Sequence, residues 1–145
     1  MAITTSAVCN VFKRDVMTGT HNFTNPGGNS FKLSMYTSSA TLGKSTTSFT
    51  SDNQVTSPSG YSSGGKALVT VTPTLDSDTA VVDFVDLSFV GVTLTARGAV
   101  IYNDTASGDP AVAVLDFGGD KTATSGTFTI QFPTANASSA ILRIA

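Results

Sequence analysis

The chain has 145 residues, a formal net charge of −2 and a charged fraction of 12 %. It contains 18 Ser and 23 Thr, no glutamate, no tryptophan, one histidine and one cysteine. These values predict a single domain over residues 1–145, and they exclude a disordered chain, an all-helical protein, an internal disulfide and a nucleic-acid partner.

The N-terminal residues give no sign of export or membrane insertion. Residues 1–7 are small and polar, and no apolar segment follows a basic start. No run approaches the roughly 20 apolar residues of a spanning helix. The sequence therefore predicts no membrane partner.

Residues 5–19 carry the one helical pattern. Apolar residues recur at four-residue spacing over residues 8–16, which predicts one N-terminal α-helix with a buried stripe. Thr5 or Ser6 is expected to cap its start, and Gly19 is expected to end it in the left-handed conformation. We expect this helix to pack on the sheet of its own chain rather than at a seam between copies.

After a turn at residues 25–29, the pattern changes to the period of two that is typical of strands. Closely spaced short strands separated by turns predict a mainly β protein: an antiparallel β-sandwich, Greek-key or jelly-roll-like, with about eight strands. Residues 87–90 are a candidate continuation of the strand before them, and turns are expected at residues 103–110, 118–126 and 133–139. The predicted strands are 31–36, 67–71, 80–85, 92–102, 111–117, 127–132 and 140–144.

Two features of this pattern indicate contact with another part of the chain or with another subunit. The runs at 99–101 and 111–115 are continuously apolar, which indicates strands that are buried on both faces. Another chain could supply part of the protein that covers these faces. Residues 37–65 are rich in Ser, Thr and Gly and long for a loop in a compact domain. This segment is either a plain surface loop or an arm that adds a strand to a neighbouring subunit.

The hydroxyl residues fall in two places. They are concentrated between residues 37 and 63, and they recur on predicted strand faces at Thr70, Thr72, Thr93, Thr95, Thr127 and Thr129. Because it has so few charges, such a surface is suited to binding other proteins through backbone and hydroxyl hydrogen bonds.

Catalytic chemistry has few candidates. His21 could in principle join one of the 18 serines and an aspartate in a triad, but no Gly-x-Ser-x-Gly elbow is present, and a packed or linker residue is the expected role. Cys9 is expected to be a small buried hydrophobe. Residues 118–122 contain a Lys-Thr pair without the spacing of a phosphate-binding loop, and a hairpin or bulge turn is expected there.

The aspartates give no metal or glycosidase signature. The pairs Asp76 with Asp78, Asp83 with Asp86, and Asp116 with Asp120 match no calcium loop, and aspartate is a usual turn residue. A glycosidase would need two facing carboxylates. Acceptor patterns for glycosylation begin at Asn22, Asn103 and Asn136 and are expected to be chance matches. We therefore expect no enzyme, no cofactor and no metal.

Several segments resemble a family of small tailed-bacteriophage virion structural proteins, and the resemblance covers nearly the whole chain. The segments that carry it are 31–42, 61–66, 95–103, 111–118 and the ending, 132–135 through 141–145. The resemblance implies a virion component, with capsid decoration (cement) protein as the favoured role. Its implied partners are the major capsid protein and further copies of this chain, with a trimer favoured. It carries no catalytic residues.

Two other classes of function stay open at this point. A tail or neck component (tube, adaptor or fibre base) would use a similar β-rich fold in a ring. A receptor-binding or carbohydrate-binding module would need exposed aromatic side chains, for which Tyr36, Tyr61 and Tyr102 are the candidates, although each of them could be a strand residue.

Overall fold

The computed structural model describes residues 3–145 and confirms a mainly β architecture with two antiparallel sheets. Strands hold 48 % of the residues and helix 6 %, consistent with the predicted β-sandwich of about eight strands. The elements in chain order are β1 (Ala7–Val8), α1 (Asn10–Met17), β2 (Phe31–Tyr36), β3 (Lys66–Ala67), β4 (Thr70–Asp76), β5 (Thr79–Phe84), β6 (Leu87–Asn103), β7 (Ala111–Ile130) and β8 (Leu142–Ile144).

The helix is present but shorter than the predicted 5–19. Ala7 and Val8 are extended and pair with β7, so the chain turns into α1 only after Cys9, which takes the cap position with extended backbone and no side-chain cap bond. Gly19 does follow the helix in the left-handed region, at φ 75°. The helix lies against β7 of its own chain. Within residues 3–145 no helix is long and apolar enough to cross a membrane.

The larger sheet has the strand order β1-β7-β6-β2-β3. On β2, Phe31, Leu33 and Met35 point to one face because side chains alternate along a strand. The ring of Phe31 stacks on Phe23 with 4.3 Å between centroids and lies 6.2 Å from the ring of Phe84 in β5. This aromatic contact joins the larger sheet to the smaller one, whose strand order is β4-β5-β8.

The predicted strand at 67–71 is divided between the two sheets. β3 ends at Ala67 in the larger sheet, and β4 begins at Thr70 in the smaller one. The Leu68 N–H donates to the carbonyl of Phe31, whereas the Val69 carbonyl accepts from Val85 N–H. The chain therefore crosses between sheets within an apolar run, where periodicity alone gives no signal of a break.

β6 and β7 form one long hairpin. The sequence pattern wrongly predicts several shorter strands in its place. The predicted turn at residues 118–126 is wrong, because these residues lie inside β7. Four residues of β7, 117–120, oppose a single residue of β6 as a bulge, and Gly118 there has φ 79°. Residues 87–90 begin β6 in the larger sheet and do not continue the preceding strand, β5, which belongs to the smaller sheet.

Residues 37–65 fold back over their own sheet. The hydroxyl of Tyr36 donates to the carbonyl of Thr50 at 2.6 Å, and the hydroxyl of Tyr102 donates to the carbonyl of Gly64 at 2.6 Å. Phe49 stacks on Tyr102 with 4.9 Å between ring centroids. Four apolar side chains of the segment are buried, namely Ala40, Leu42, Val55 and Tyr61. The segment thus supplies part of the cover that the continuously apolar strands require.

Candidate interaction surface

The hairpin of β6 and β7 leaves the outer edge of β7 without a strand partner over most of its length. β7 has β6 on one side and β1 on the other, and β1 pairs only with Ala113 and Val114. Within residues 3–145, no strand pairs with the outer edge of β7 from residue 115 to residue 130. Such an edge presents unpaired N–H and C=O groups to an incoming chain.

A groove of about 400 Å³ runs beside this edge. Phe117, Phe128 and Ile130 give it an apolar wall, and Lys121, Thr127, Thr129 and Gln131 complete its lining. The rings of Phe117 and Phe128 are 5.9 Å apart and form one continuous apolar surface. An edge with an adjacent apolar groove is the arrangement that strand addition uses, because the backbone gives affinity and the groove takes alternate side chains.

The part of the hairpin farthest from its turn carries no charge. We call residues 87–96 and 122–130 the distal ribbon, and none of these residues is Asp, Glu, Lys or Arg. Its outer face is paired through hydroxyls: Ser88 with Thr129 at 2.9 Å and Thr95 with Thr122 at 2.8 Å. Natural edge strands are usually protected from association by charged side chains, above all lysine. The distal ribbon has bulges but lacks that protection.

Charges return at the base of the ribbon. Arg97 forms an ion pair with Asp116, and the Gly118 N–H donates to the same carboxylate at 2.9 Å. The bond from Gly118, followed by the interaction with Arg97, lowers the pKa of Asp116 below its ordinary value. This pair fixes the bulge from which the distal ribbon extends.

His21 is a buried member of an aromatic cluster rather than a triad base. Its ring lies 4.9 Å from Phe12 and 6.1 Å from Phe31 between centroids. Nδ1 is 3.1 Å from the side-chain amide of Asn103, and Nε2 is 3.9 Å from Oδ2 of Asp15. No serine hydroxyl bonds to the ring within residues 3–145. The expectation of a packed residue agrees with this placement.

Burial of His21 predicts a loss of stability in mild acid. Desolvation lowers its pKa below 6.5, and the charge of Asp15 only partly opposes this effect. The folded state therefore favours the neutral ring, so its stabilisation is complete above pH 6.5 and is lost as the pH falls through the folded pKa. Urea unfolding at pH 7 and pH 5 should show a fall in stability, limited to about 1.4 kcal/mol per pH unit by uptake of one proton.

The variant His21→Phe provides the control for this pH effect. His21 is the only histidine, and no other side chain has an unperturbed pKa between pH 5 and pH 8. The variant should therefore lose stability less steeply between pH 7 and pH 5. Equal slopes in the two proteins would show that His21 is not the titrating group.

Cys9 and the aspartate pairs have structural positions. Cys9 is fully buried, and burial raises the pKa of its thiol to about 11, so the thiol is protonated at neutral pH. Asp76, Asp83 and Asp86 each accept a backbone N–H, from Ala137, Phe84 and Phe132 respectively. Within residues 3–145, no group of three His, Cys, Asp or Glu residues is placed to hold a metal ion.

The three tyrosines are buried, not displayed. Tyr36 lies in β2 and Tyr102 in β6, as strand residues, whereas Tyr61 lies in the covering segment. The Tyr61 hydroxyl accepts from Met35 N–H at 2.9 Å and donates to Oε1 of Gln54 at 2.8 Å. In residues 3–145 every Phe and Tyr is buried or half-buried, so this part of the surface offers no aromatic platform.

Comparison with known proteins finds no matching family model, no matching curated protein and no matching solved structure.

Proposed function

We propose that this chain is a non-enzymatic structural protein of a tailed-bacteriophage virion, most specifically a capsid decoration (cement) protein. In this role it binds the outside of the shell formed by the major capsid protein and stabilises that shell. The observation that carries the proposal is the unpaired, uncharged outer edge of β7 in the distal ribbon. A strand edge without charged side chains over residues 122–130 is suited to a permanent protein partner.

The composition of the surface supports a protein partner over the other classes. The net charge of −2 gives no patch for nucleic acid. A carbohydrate-binding module would use exposed aromatic side chains, whereas every Phe and Tyr in residues 3–145 is buried or half-buried. A tail or neck ring could use the same strand edge, and the number of copies per particle separates that alternative from decoration.

Particles assembled without this chain provide the test. Purified chain added to them should co-sediment with the shells and raise the temperature at which they release DNA. A chain that stays in the supernatant, with the release temperature unchanged, would contradict the proposed role. Isolated tails serve as the second target, because binding to tails but not to shells would support the tail alternative.

A further inference from the structure

Large apolar side chains are exposed around one cavity of the molecule, which no residue of β7 lines. Within residues 3–145 the four most exposed large apolar residues are Met17, Leu75, Val90 and Ile144, at 88 %, 74 %, 68 % and 62 %. All of them except Val90 belong to α1 or to the smaller sheet. Single exposed apolar residues are ordinary, whereas a group of them beside a cavity marks an interaction surface.

The cavity has a volume of about 190 Å³ and lies between α1 and the smaller sheet. Phe12 and Val16 line it from the helix, and Val82, Leu142 and Ile144 line it from the sheet. Because Ile144 is mostly exposed, the cavity opens to solvent beside this residue. Cavities of about 150 Å³ with apolar walls take a benzene ring, so this one has room for one more apolar side chain.

The strand register extends the apolar lining to the edge of the smaller sheet. Ala80 pairs with Ile144 on one side and with Leu75 on the other, so the three side chains form one row on the same face. Arg143 precedes Ile144 and points to the opposite face, where its guanidinium donates to the carbonyl of Ala137 at 2.9 Å. The sheet side of the cavity mouth is therefore an apolar rim.

Met17 is an apolar projection on the helix side of the same mouth. It directly follows Val16, which lines the cavity. Val11 and Asp15 lie on the other flank of α1 and line a separate cleft beside residues 37–65. A methionine side chain is unbranched and flexible, so it fills irregular apolar spaces well. The chain thus carries a projection and an open recess side by side.

The charges beside the mouth have opposite signs on its two sides. Lys13 is exposed on the same flank of α1 as Met17, four residues before it. Asp78 is exposed in the turn that joins β4 to β5, three residues after Leu75. Within residues 3–145 neither Lys13 nor Asp78 takes part in an ion pair. The two sides of the mouth are therefore complementary in charge to each other.

We propose that this surface binds a second copy of the chain about a two-fold axis, with Met17 of each copy inserted into the cavity of the other. A two-fold contact is self-complementary, because one patch supplies both the projection and the recess. The helix side of each copy then meets the sheet side of the other, so Lys13 faces Asp78. α1 stays packed on its own β7, and only its exposed flank contacts the second copy. The pairing does not use the β7 edge and is independent of the proposed virion role.

Analytical ultracentrifugation of the purified chain, without shells, tests the pairing. We expect a dimer that dissociates in the micromolar range, rather than the trimer that the resemblance implies. Met17→Gln keeps the length of the side chain but would bury an unpaired amide in both cavities, so it should weaken the dimer at least about tenfold. A monomer at all concentrations, or an oligomer that Met17→Gln leaves unchanged, would overturn the proposal.

Val90→Thr is the matched control. Val90 is also mostly exposed but does not line the cavity, and threonine likewise keeps the side-chain size while adding a polar group. This variant should form the dimer as the wild type does. Circular dichroism spectra equal to that of the wild type would show that both variants are folded. Equal weakening by the two substitutions would indicate non-specific association and would overturn the site.

A charge exchange tests the two-fold geometry. Lys13→Asp would place acidic groups opposite each other at two points of the interface and should weaken the dimer about fivefold. Adding Asp78→Lys restores opposite charges and should return the affinity to within about twofold of the wild type. No recovery in the double variant would show that α1 does not face the β4–β5 turn of the second copy, and would overturn the two-fold arrangement.

Sedimentation with shells separates this surface from the virion role. A monomeric wild type whose binding to shells is lost in Met17→Gln would mean that a shell protein covers the surface, which would overturn the pairing. A dimer that meets the expectations above but does not bind shells would support the pairing and contradict the virion role.

Discussion

Replacing Gly65 with alanine is expected to destabilise the fold by more than about 3 kcal/mol. Gly65 has φ 81°, and an added Cβ would overlap the carbonyl oxygen of Leu33 and lie 2.6 Å from its carbonyl carbon. Both atoms belong to the backbone of β2, so they cannot move aside without disturbing the pairing of β2 with β6. The variant therefore tests whether residues 37–65 are an integral cover of this sheet.

Gly108→Ala is the matched control. Gly108 has φ 82°, almost the same backbone angle, but nothing lies within 4 Å of its added Cβ. It should cost only the strain of a left-handed alanine, about 1–2 kcal/mol. Urea unfolding followed by circular dichroism measures both. Equal losses would mean that the covering segment is not held tightly against β2.

The second large effect is expected at the β7 edge. Thr127 is exposed, lines the groove and has no side-chain hydrogen bond to another residue. Thr127→Lys should leave the stability of the isolated chain within about 0.5 kcal/mol of the wild type. It should weaken binding to shells at least tenfold (about 1.4 kcal/mol), because pairing at the edge would bury an unpaired charge.

Thr74→Lys distinguishes the β7 edge from the edge of the smaller sheet at β4. Thr74 is an exposed strand threonine in β4, the edge strand of the smaller sheet. We expect this variant to bind shells as the wild type does in the same sedimentation assay. If Thr74→Lys weakens binding and Thr127→Lys does not, the interface lies on β4 and the assignment to β7 is wrong.

The local pattern of apolar and polar residues was sufficient to predict the fold class. It failed where contacts with residues distant in the sequence determine the local structure. Alternation of apolar and polar residues predicted β2 over residues 31–36, which is its observed range. In contrast, the glycines near residue 118 are a turn signal in isolation but form a bulge here, because β6 continues alongside and keeps β7 extended. Similarly, Ala7 and Val8 fit a helical stripe but pair with β7.

The candidate surface was only partly predictable. The sequence showed the threonine-rich strand faces and the low charge, but it could not show that β1 covers only two residues of β7, because strand pairing depends on long-range contacts. The polar segment 37–65 was a candidate arm, and its four buried apolar residues are too widely spaced to form a periodic signal. The environment of His21 could not be predicted, because no sequence motif surrounds it and its neighbours Asp15 and Asn103 approach it only in the folded chain.

The number of copies of this chain per purified virion tests the central proposal most directly. Gel densitometry against the major capsid protein, calibrated with known amounts of both purified chains, gives that number. A decoration protein covers the whole shell, so we expect a ratio close to stoichiometric with the shell subunit. A ratio of only a few copies per particle, or no copies at all, would contradict the assignment to the capsid surface.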